Sequence, residues 1–242
     1  MRSLKAQLRT ELILTLRRGD AVLLNLAIPL GLLVFFSLVD VLPKPAGVKH
    51  PVQFLTPGLL ALAVMSTSMV SLGIATGFER QYGVLKRLGT TPLGRPRLLA
   101  AKTLAIAAVE LIQIVVVAGG AVLLGWQPRG DVFLAVAEMA LATAGFAGLG
   151  LLMAGTLRAE MTLAAANGLY LVLLLLGGMV VPLAKLPGAV QGLARALPAA
   201  NLADALHATL GTGGPVPGRA WLVLLAWAIA APAAAARFFR WE

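Results

Sequence analysis

Two polar residues stand in the middle of a long apolar stretch, where a carboxyl group could take part in chemistry. Glu110 lies about midway along residues 98–124, and Gln113 follows it by one helical turn. A charged carboxylate at that depth of a membrane costs roughly 2.5 kcal/mol or more, so Glu110 is expected to face protein or water, or to carry a proton. Two interpretations stay open: Glu110 and Gln113 belong to a substrate pathway or proton-sensitive site, or they form a hydrogen bond that fixes helix packing.

A second group of polar residues lies in GFERQYGVLKRLGTTPLGRP, residues 77–96, which joins two apolar stretches. Residues 78–88 are long enough for about three helical turns. The spacing places on one side of this helix Glu79, Gly83, Lys86 and Arg87. A short helix with a mixed-charge side suits a cleft on a rigid protein partner. The alternative is that its Lys and Arg residues only set the orientation of the chain in the membrane.

Four further residues in the second and fifth apolar stretches are candidates for a pathway: Ser66, Met69, Asn167 and Tyr170. Ordinary helix packing explains them equally well. Glu138 lies about two turns inside the fourth stretch, where its side chain is expected to reach water at the membrane surface. His50 and His207 lack the spacing of metal ligands, and the chain has no cysteine. We therefore predict no metal site and no bound cofactor.

The composition indicates that lipid surrounds most of the chain. Of its 242 residues, 59% are hydrophobic and 12% are charged, whereas about a quarter of the residues in soluble domains are charged. Apolar stretches long enough to cross a membrane occur at about 21–40, 54–77, 98–124, 132–156, 162–182 and 219–238. The sequence therefore predicts an all-α membrane protein with six transmembrane helices. Most of the residues that give the net charge of +10 lie between these helices, which favours membrane lipids over nucleic acid as partners.

The connecting segments predict how the chain is oriented. Most Lys and Arg residues lie on the side of both termini and of residues 78–97, which places that side in the cytoplasm of an inner-membrane protein. Residues 1–19 carry a leucine every four residues beside a basic face, which predicts an amphipathic helix at the inner membrane surface. Residues 183–218 are expected to form short re-entrant helices on the outer side. We expect a single transmembrane domain.

Residues 78–102, FERQYGVLKRLGTTPLGRPRLLAAK, resemble the signature loop of permease subunits of type-2 ABC exporters. The residues that match this signature are Glu79, Arg80, Gly83, Leu85, Leu88, Thr91, Pro92 and Lys102. Gln81 departs from the pattern, in which a second acid or an Arg is commoner, so a weaker acidic end of the loop is expected. The N-terminal helix, the six spans and residues 183–218 extend the resemblance along nearly the whole chain.

The resemblance implies that residues 78–97 contain a coupling helix, which transmits the movement of a separate ABC ATPase to the membrane helices. The residues implied in this contact are Glu79, Arg80, Gly83, Leu85, Lys86 and Arg87. The chain has no Gly-x4-Gly-Lys-Ser/Thr loop to hold phosphates. ATP and Mg²⁺ are therefore expected in the partner, and this chain is not expected to be an enzyme. The two-fold assemblies of the family imply two ATPase copies and a second permease copy or a paralogue.

The implied function is export of a hydrophobic or amphipathic substrate, such as a drug, an antibiotic or a lipid-like molecule. Haem and lipid-linked polysaccharide are alternative cargoes. Two other classes of protein stay open: an intramembrane hydrolase and a membrane protein without transport activity. A hydrolase would need paired acids with a histidine on facing helices, and neither His50 nor His207 lies in a predicted span.

Overall fold

The structure is a bundle of helices that follow one another along the chain. A computed structural model describes residues 2–17, 19–39, 51–89, 94–179 and 187–240, and these residues contain no β-strand. The α-helices are α1 (Arg2–Arg17), α2 (Gly19–Leu38), α3 (Pro51–Met65), α4 (Leu72–Gln81), α5 (Val84–Gly89), α6 (Arg95–Leu123), α7 (Val132–Thr156), α8 (Ala159–Leu176), α9 (Gly188–Ala194), α10 (Pro198–Leu206) and α11 (Gly218–Phe238). Two π-helical turns, Ser66–Ser71 and His207–Thr212, follow α3 and α10.

Five of the described helices are long and apolar enough to cross a membrane. They are Pro51–Gln81, which joins α3, the first π-helical turn and α4, together with Arg97–Leu123, Val132–Thr156, Ala159–Leu176 and Gly218–Phe238. The prediction of an all-α membrane protein is confirmed. The apolar stretch Asn25–Leu38 of α2 is shorter than these five. The count of six spans therefore stays a prediction.

Two helix ends differ from the sequence-based boundaries. The second span was expected to end at residue 77, but its helix continues to Gln81 because the polar residues of its last turn find partners inside the protein. The fifth span was expected to reach residue 182, but α8 ends at Leu176. Gly177 and Gly178 follow it, and Gly178 has a φ of +66°, which glycine tolerates and which breaks the helix.

The expected continuous helix over residues 78–88 is also wrong. α4 ends at Gln81, and a turn through Tyr82 and Gly83 leads into the separate short helix α5. Gly83 has a φ of +72°, a conformation that stops an α-helix and that favours glycine. Residues 90–93, which include Thr91 and Pro92 of the signature loop, lie outside the described residues.

Helix α7 lies at the centre of the bundle because its glycines allow close contact on two sides. A Cβ atom at Gly148 would lie 2.4 Å from the backbone nitrogen of Pro232 in α11. A Cβ atom at Gly150 would lie 2.5 Å from the carbonyl oxygen of Met69, within the first π-helical turn. Small residues at such contacts bring helix backbones together, which is how helices associate in membranes without a hydrophobic driving force.

The two ends of the bundle are closed by different short helices. The end of the bundle that contains α5 is called the α5 end. The opposite end, which contains α10, is called the α10 end. There α10 is almost wholly buried and contacts α3, α7 and α11. His207, in the turn after α10, lies within hydrogen-bond distance of the carbonyl oxygens of Ala203, at 2.7 Å, and Phe54, at 3.0 Å. The predicted placement of this segment at the outer membrane surface stays a prediction.

The close contact at Gly150 predicts a strong effect of a single methyl group. Gly150→Ala is expected to lower stability by about 1–3 kcal/mol because the added Cβ atom overpacks against backbone atoms. Gly168→Ala on α8 is the matched control, since nothing lies within 4 Å of its Cβ position and alanine favours a helix by about 1 kcal/mol over glycine. Thermal unfolding in detergent measures both. Equal midpoints for the two variants would contradict this packing.

Candidate functional site

The last turn of α4 and the following helix α5 divide the signature residues between two environments. Glu79 and Arg80 lie in the last turn of α4 and contact other helices of the chain. Leu85 of α5 is fully buried, whereas Lys86 and Arg87 are exposed. Gly83 makes the turn between the two helices. The prediction that Glu79 shares one helical side with Lys86 and Arg87 is wrong, because the chain changes direction at Gly83.

Glu79 belongs to a buried charge cluster, which consists of Glu11, Glu79 and Lys102. The Lys102 ammonium group donates to Glu11 at 2.9 Å and to Glu79 at 2.5 Å, and its side chain is only 2% exposed. The Glu11 carboxylate also accepts from Gln7 at 2.8 Å. Charges are stable away from water when they are paired and hydrogen-bonded. The buried charge cluster therefore joins α1, α4 and α6 at the α5 end of the bundle.

Arg80 joins α4 to the end of α7. Its guanidinium group donates to the carbonyl oxygens of Ala154 at 2.9 Å and Leu157 at 2.8 Å. The last carbonyl groups of a helix lack partners within the helix and carry partial negative charge, so a guanidinium group suits them. Gln81 next to it donates to Glu160 of α8 at 2.8 Å. Three consecutive residues of α4 therefore bond to α6, to the end of α7 and to the start of α8.

The short helix α5 is anchored on one side and exposed on the other. Leu85 packs in an apolar cluster with residues of four longer helices: Leu72, Leu98, Leu99, Ile106, Ala147, Leu151 and Ala235, together with Phe239. On the exposed side, the Val84 side chain is 41% exposed beside Lys86 and Arg87, and Tyr82 in the preceding turn is 73% exposed. The exposed surface of α5 is therefore basic and partly apolar.

The two polar residues in the middle of α6 point to different neighbours. Gln113 accepts from Thr67 in the first π-helical turn at 2.5 Å and donates to the carbonyl oxygen of Asn25 in α2 at 2.6 Å. Glu110, which is 2% exposed, has its hydrogen bond with Thr143 of α7 at 2.7 Å. Glu110 and Gln113 therefore do not form a single polar stripe on α6. Each of them joins α6 to different neighbouring helices.

The other candidate pathway residues lie in mixed surroundings. Met69 is fully buried and Ser66 is half-buried, and both belong to the first π-helical turn. Such turns within α-helices often occur at functional sites. Tyr170 is half-buried and packs against the apolar core that includes Met69. Asn167 is exposed and donates to the carbonyl oxygen of Leu163 in its own helix at 2.8 Å.

Glu138 does not reach the surface as expected. Its side chain is fully buried and accepts a hydrogen bond at 2.7 Å from Thr209, which lies in the π-helical turn after α10. That turn covers the end of α7, since a Cβ atom at Gly130 would lie 1.9 Å from the Thr209 carbonyl oxygen. No sequence pattern indicated this cover, because Glu138 and Thr209 are 71 positions apart.

Glu11 is not among the residues predicted from the sequence, and Lys102 was assigned no partner. A signal was present, since Lys102 lies within an apolar stretch, and a lysine at such a position requires a carboxylate or a path to water. Glu11 was the nearest candidate on the N-terminal amphipathic helix. Asn25, Thr67 and Thr143 were not predicted either, because small polar side chains are ordinary in membrane helices.

Comparison with known proteins agrees with the class that the fold defines, an all-α membrane protein with several spans. The family model described as ABC-2 type transporter matches residues 2–210. The chain therefore belongs to the ABC-2 type transporter family, as a permease subunit. Subunits of this kind are the membrane part of a transporter and are not themselves catalytic, and they work with an ABC ATPase. A search of curated proteins gives no match.

Removing the ammonium group of Lys102 from the buried charge cluster is expected to lower the stability of the chain strongly. Lys102→Met leaves two buried carboxylates facing each other, and removing one partner of a buried pair costs about 3–5 kcal/mol. The matched control is Arg97→Met, which removes an exposed charge from the same helix and is expected to cost at most about 1 kcal/mol. Thermal unfolding of the purified chain compares them. Similar midpoints would mean that the cluster does not stabilise the bundle.

Proposed function

We propose that this chain is the membrane-spanning subunit of an ATP-driven exporter and that α5 is its contact with the ATPase subunit. The observation that carries the proposal is the arrangement of α5, with Leu85 fully buried in the bundle and Lys86 and Arg87 on its exposed side. A helix that is anchored on one face and charged on the other is suited to transmit force. On this proposal the α5 end and both termini are cytoplasmic, which agrees with the distribution of Lys and Arg.

The contacts of α5 and α4 supply a route from the ATPase to the membrane helices. Leu85 belongs to the apolar cluster at the α5 end, whose other members lie on or next to α4, α6, α7 and α11. One turn before α5, Glu79 joins α4 to α1 and α6 through Lys102, and Arg80 joins α4 to α7. A displacement of α5 would therefore act on several spans at once, because packed helices move as units.

The proposed role of the signature residues differs from the one the sequence implied. Glu79 and Arg80 would transmit movement within the chain, since their side chains contact α6 and α7, and Lys102 of α6 bonds in turn to Glu11 of α1. Lys86 and Arg87 would contact the ATPase, and a cleft with acidic residues is the complementary surface. Gly83 would allow the change of direction between α4 and α5.

We propose a hydrophobic or amphipathic substrate, such as a drug, an antibiotic or a lipid-like molecule, with haem or a lipid-linked polysaccharide as alternatives. The candidate pathway would include the first π-helical turn and Tyr170, and its second half would come from another permease copy or a paralogue. Two ATPase subunits would complete the assembly. An intramembrane hydrolase is less well supported, because the structure pairs Glu110 with Thr143 and His207 with backbone carbonyl groups.

A charge reversal on α5 tests the contact. Lys86→Glu combined with Arg87→Glu should weaken binding of the ATPase subunit, because both side chains are exposed and the new carboxylates would face an acidic cleft with like charge. The few anchor residues of an interface each cost more than about 1 kcal/mol when they are truncated, so, if α5 is the contact, binding should weaken at least about tenfold. The measurement is ATP hydrolysis by the complex purified through a tag on this chain.

The control is Arg158→Glu, which reverses an exposed charge in the turn between α7 and α8. It should retain the ATPase activity that purifies with the unaltered chain. Full activity in the α5 double variant would reject α5 as the contact. Absence of any ATP-hydrolysing subunit with the unaltered chain, at normal expression, would reject the exporter.

A further inference from the structure

The hydroxyl group of Thr143 faces two oxygen atoms, and this arrangement determines where one proton lies. The Thr143 Oγ atom is 2.7 Å from Glu110 Oε1 and 2.8 Å from the carbonyl oxygen of Met139. Both distances are those of O–H···O hydrogen bonds, and each such bond needs one proton between its oxygens. Thr143 has a single hydroxyl proton, so it can donate to only one of the two.

The Met139 carbonyl oxygen has no proton to give, so the contact with Thr143 can only be a bond that the hydroxyl donates. Bonds of this kind, from Thr to the carbonyl group four residues earlier, are common in membrane helices. The contact between Thr143 and Glu110 then requires its own proton, and only the Glu110 carboxyl group can supply it. An ionised Glu110 would place two lone pairs 2.7 Å apart with no proton between them.

We infer that Glu110 is a proton-binding site in the middle of α6, and that it holds its proton at neutral pH as a carboxylic acid that donates to Thr143. The chain of donors then runs from Glu110 Oε1 to Thr143 Oγ and from Thr143 to the Met139 carbonyl oxygen. Glu110 Oε2 is the carbonyl oxygen of the acid. This proton joins α6 to α7.

The surroundings of Glu110 agree with a neutral acid. Its side chain is buried, and Oε2 has no hydrogen-bond partner among the residues that the structure describes. A buried carboxylate needs several donors or a cation to replace its hydration, whereas a buried carboxylic acid needs mainly an acceptor for its proton. Thr143 is such an acceptor.

No charged side chain in the described part of the chain contacts Glu110. The charged residues on α6 itself and on the helices that pack against it are Arg2, Lys5, Arg9, Glu11 and Arg17 on α1, Asp20 on α2, Glu79 and Arg80 on α4, Arg95, Arg97 and Lys102 on α6, Glu138 on α7, and Arg219 and Arg237 on α11. Lys102 is eight residues from Glu110, or about 12 Å along the helix axis, and is held by Glu11 and Glu79. Glu138 is held by Thr209.

Release of this proton requires a change in the bundle. A carboxylate at this position would need water or new donors to replace its hydration. Loss of the proton would therefore report a change in the surroundings of Glu110.

Infrared difference spectroscopy of the full-length chain in lipid tests the assignment. The spectrum of the unaltered chain minus that of Glu110→Gln should contain, at neutral pH, the carbonyl-stretch band of one protonated carboxylic acid and no carboxylate band. Glu160→Gln is the control, because Glu160 is exposed and its removal should delete a carboxylate band instead. A carboxylate band in the Glu110 difference spectrum at neutral pH would overturn the inference.

A second variant keeps the test decisive if Glu110→Gln does not fold. Thr143→Val removes the acceptor of the Glu110 proton without touching the carboxyl group, so the protonated-acid band should shift to higher frequency as its hydrogen bond is lost. When Glu138→Gln is added to the Thr143→Val chain, the shifted band should stay in place, because Glu138 contacts a different threonine. An identical acid band in the unaltered chain and in Thr143→Val would contradict a proton shared with Thr143.

Discussion

The arrangement of the α5 end depends on one buried ammonium group. Lys102 is 2% exposed and sits between the carboxylates of Glu11 and Glu79, which come from the first and the fourth helix of the chain. Taking a lysine and two glutamates out of water is costly, and the cost is offset only if all three meet with good geometry. The cluster therefore fixes the positions of α1, α4 and α6 relative to one another, and it extends α4 to Gln81, beyond the end of its apolar stretch.

The same constraint explains why the signature loop is divided. Since Glu79 and Arg80 are needed to hold the ends of other helices, they cannot also form the exposed surface of a docking helix. The left-handed turn at Gly83 separates these two roles and turns α5 outward. Leu85 anchors α5 to the bundle in the apolar cluster. The basic face of α5 is therefore exposed on a helix that is itself packed against the bundle.

The sequence predicted what depends on the length and polarity of segments. Five apolar helices, the short helices of residues 187–206 and a helix in the signature loop follow from such patterns. It did not predict what depends on contacts between distant residues. The burial of Glu138 requires Thr209, and the separate neighbours of Glu110 and Gln113 depend on how α6 is rotated between α2 and α7. The helix end at Gly83 could have been predicted, since a glycine after a polar helical turn is a common helix end. The charge pattern around Gly83 instead suggested a continuous helix.

Site-specific photo-crosslinking is the sharpest test of the proposed contact between α5 and the ATPase. A photoreactive amino acid placed at Lys86 should crosslink this chain to the ATPase subunit in membranes. The same photoreactive amino acid placed at Gln127, which is exposed at the α10 end, should give no such product. Crosslinks are expected from Lys86 alone. Crosslinks to the ATPase from Gln127, or none from Lys86 in a complex that hydrolyses ATP, would contradict it.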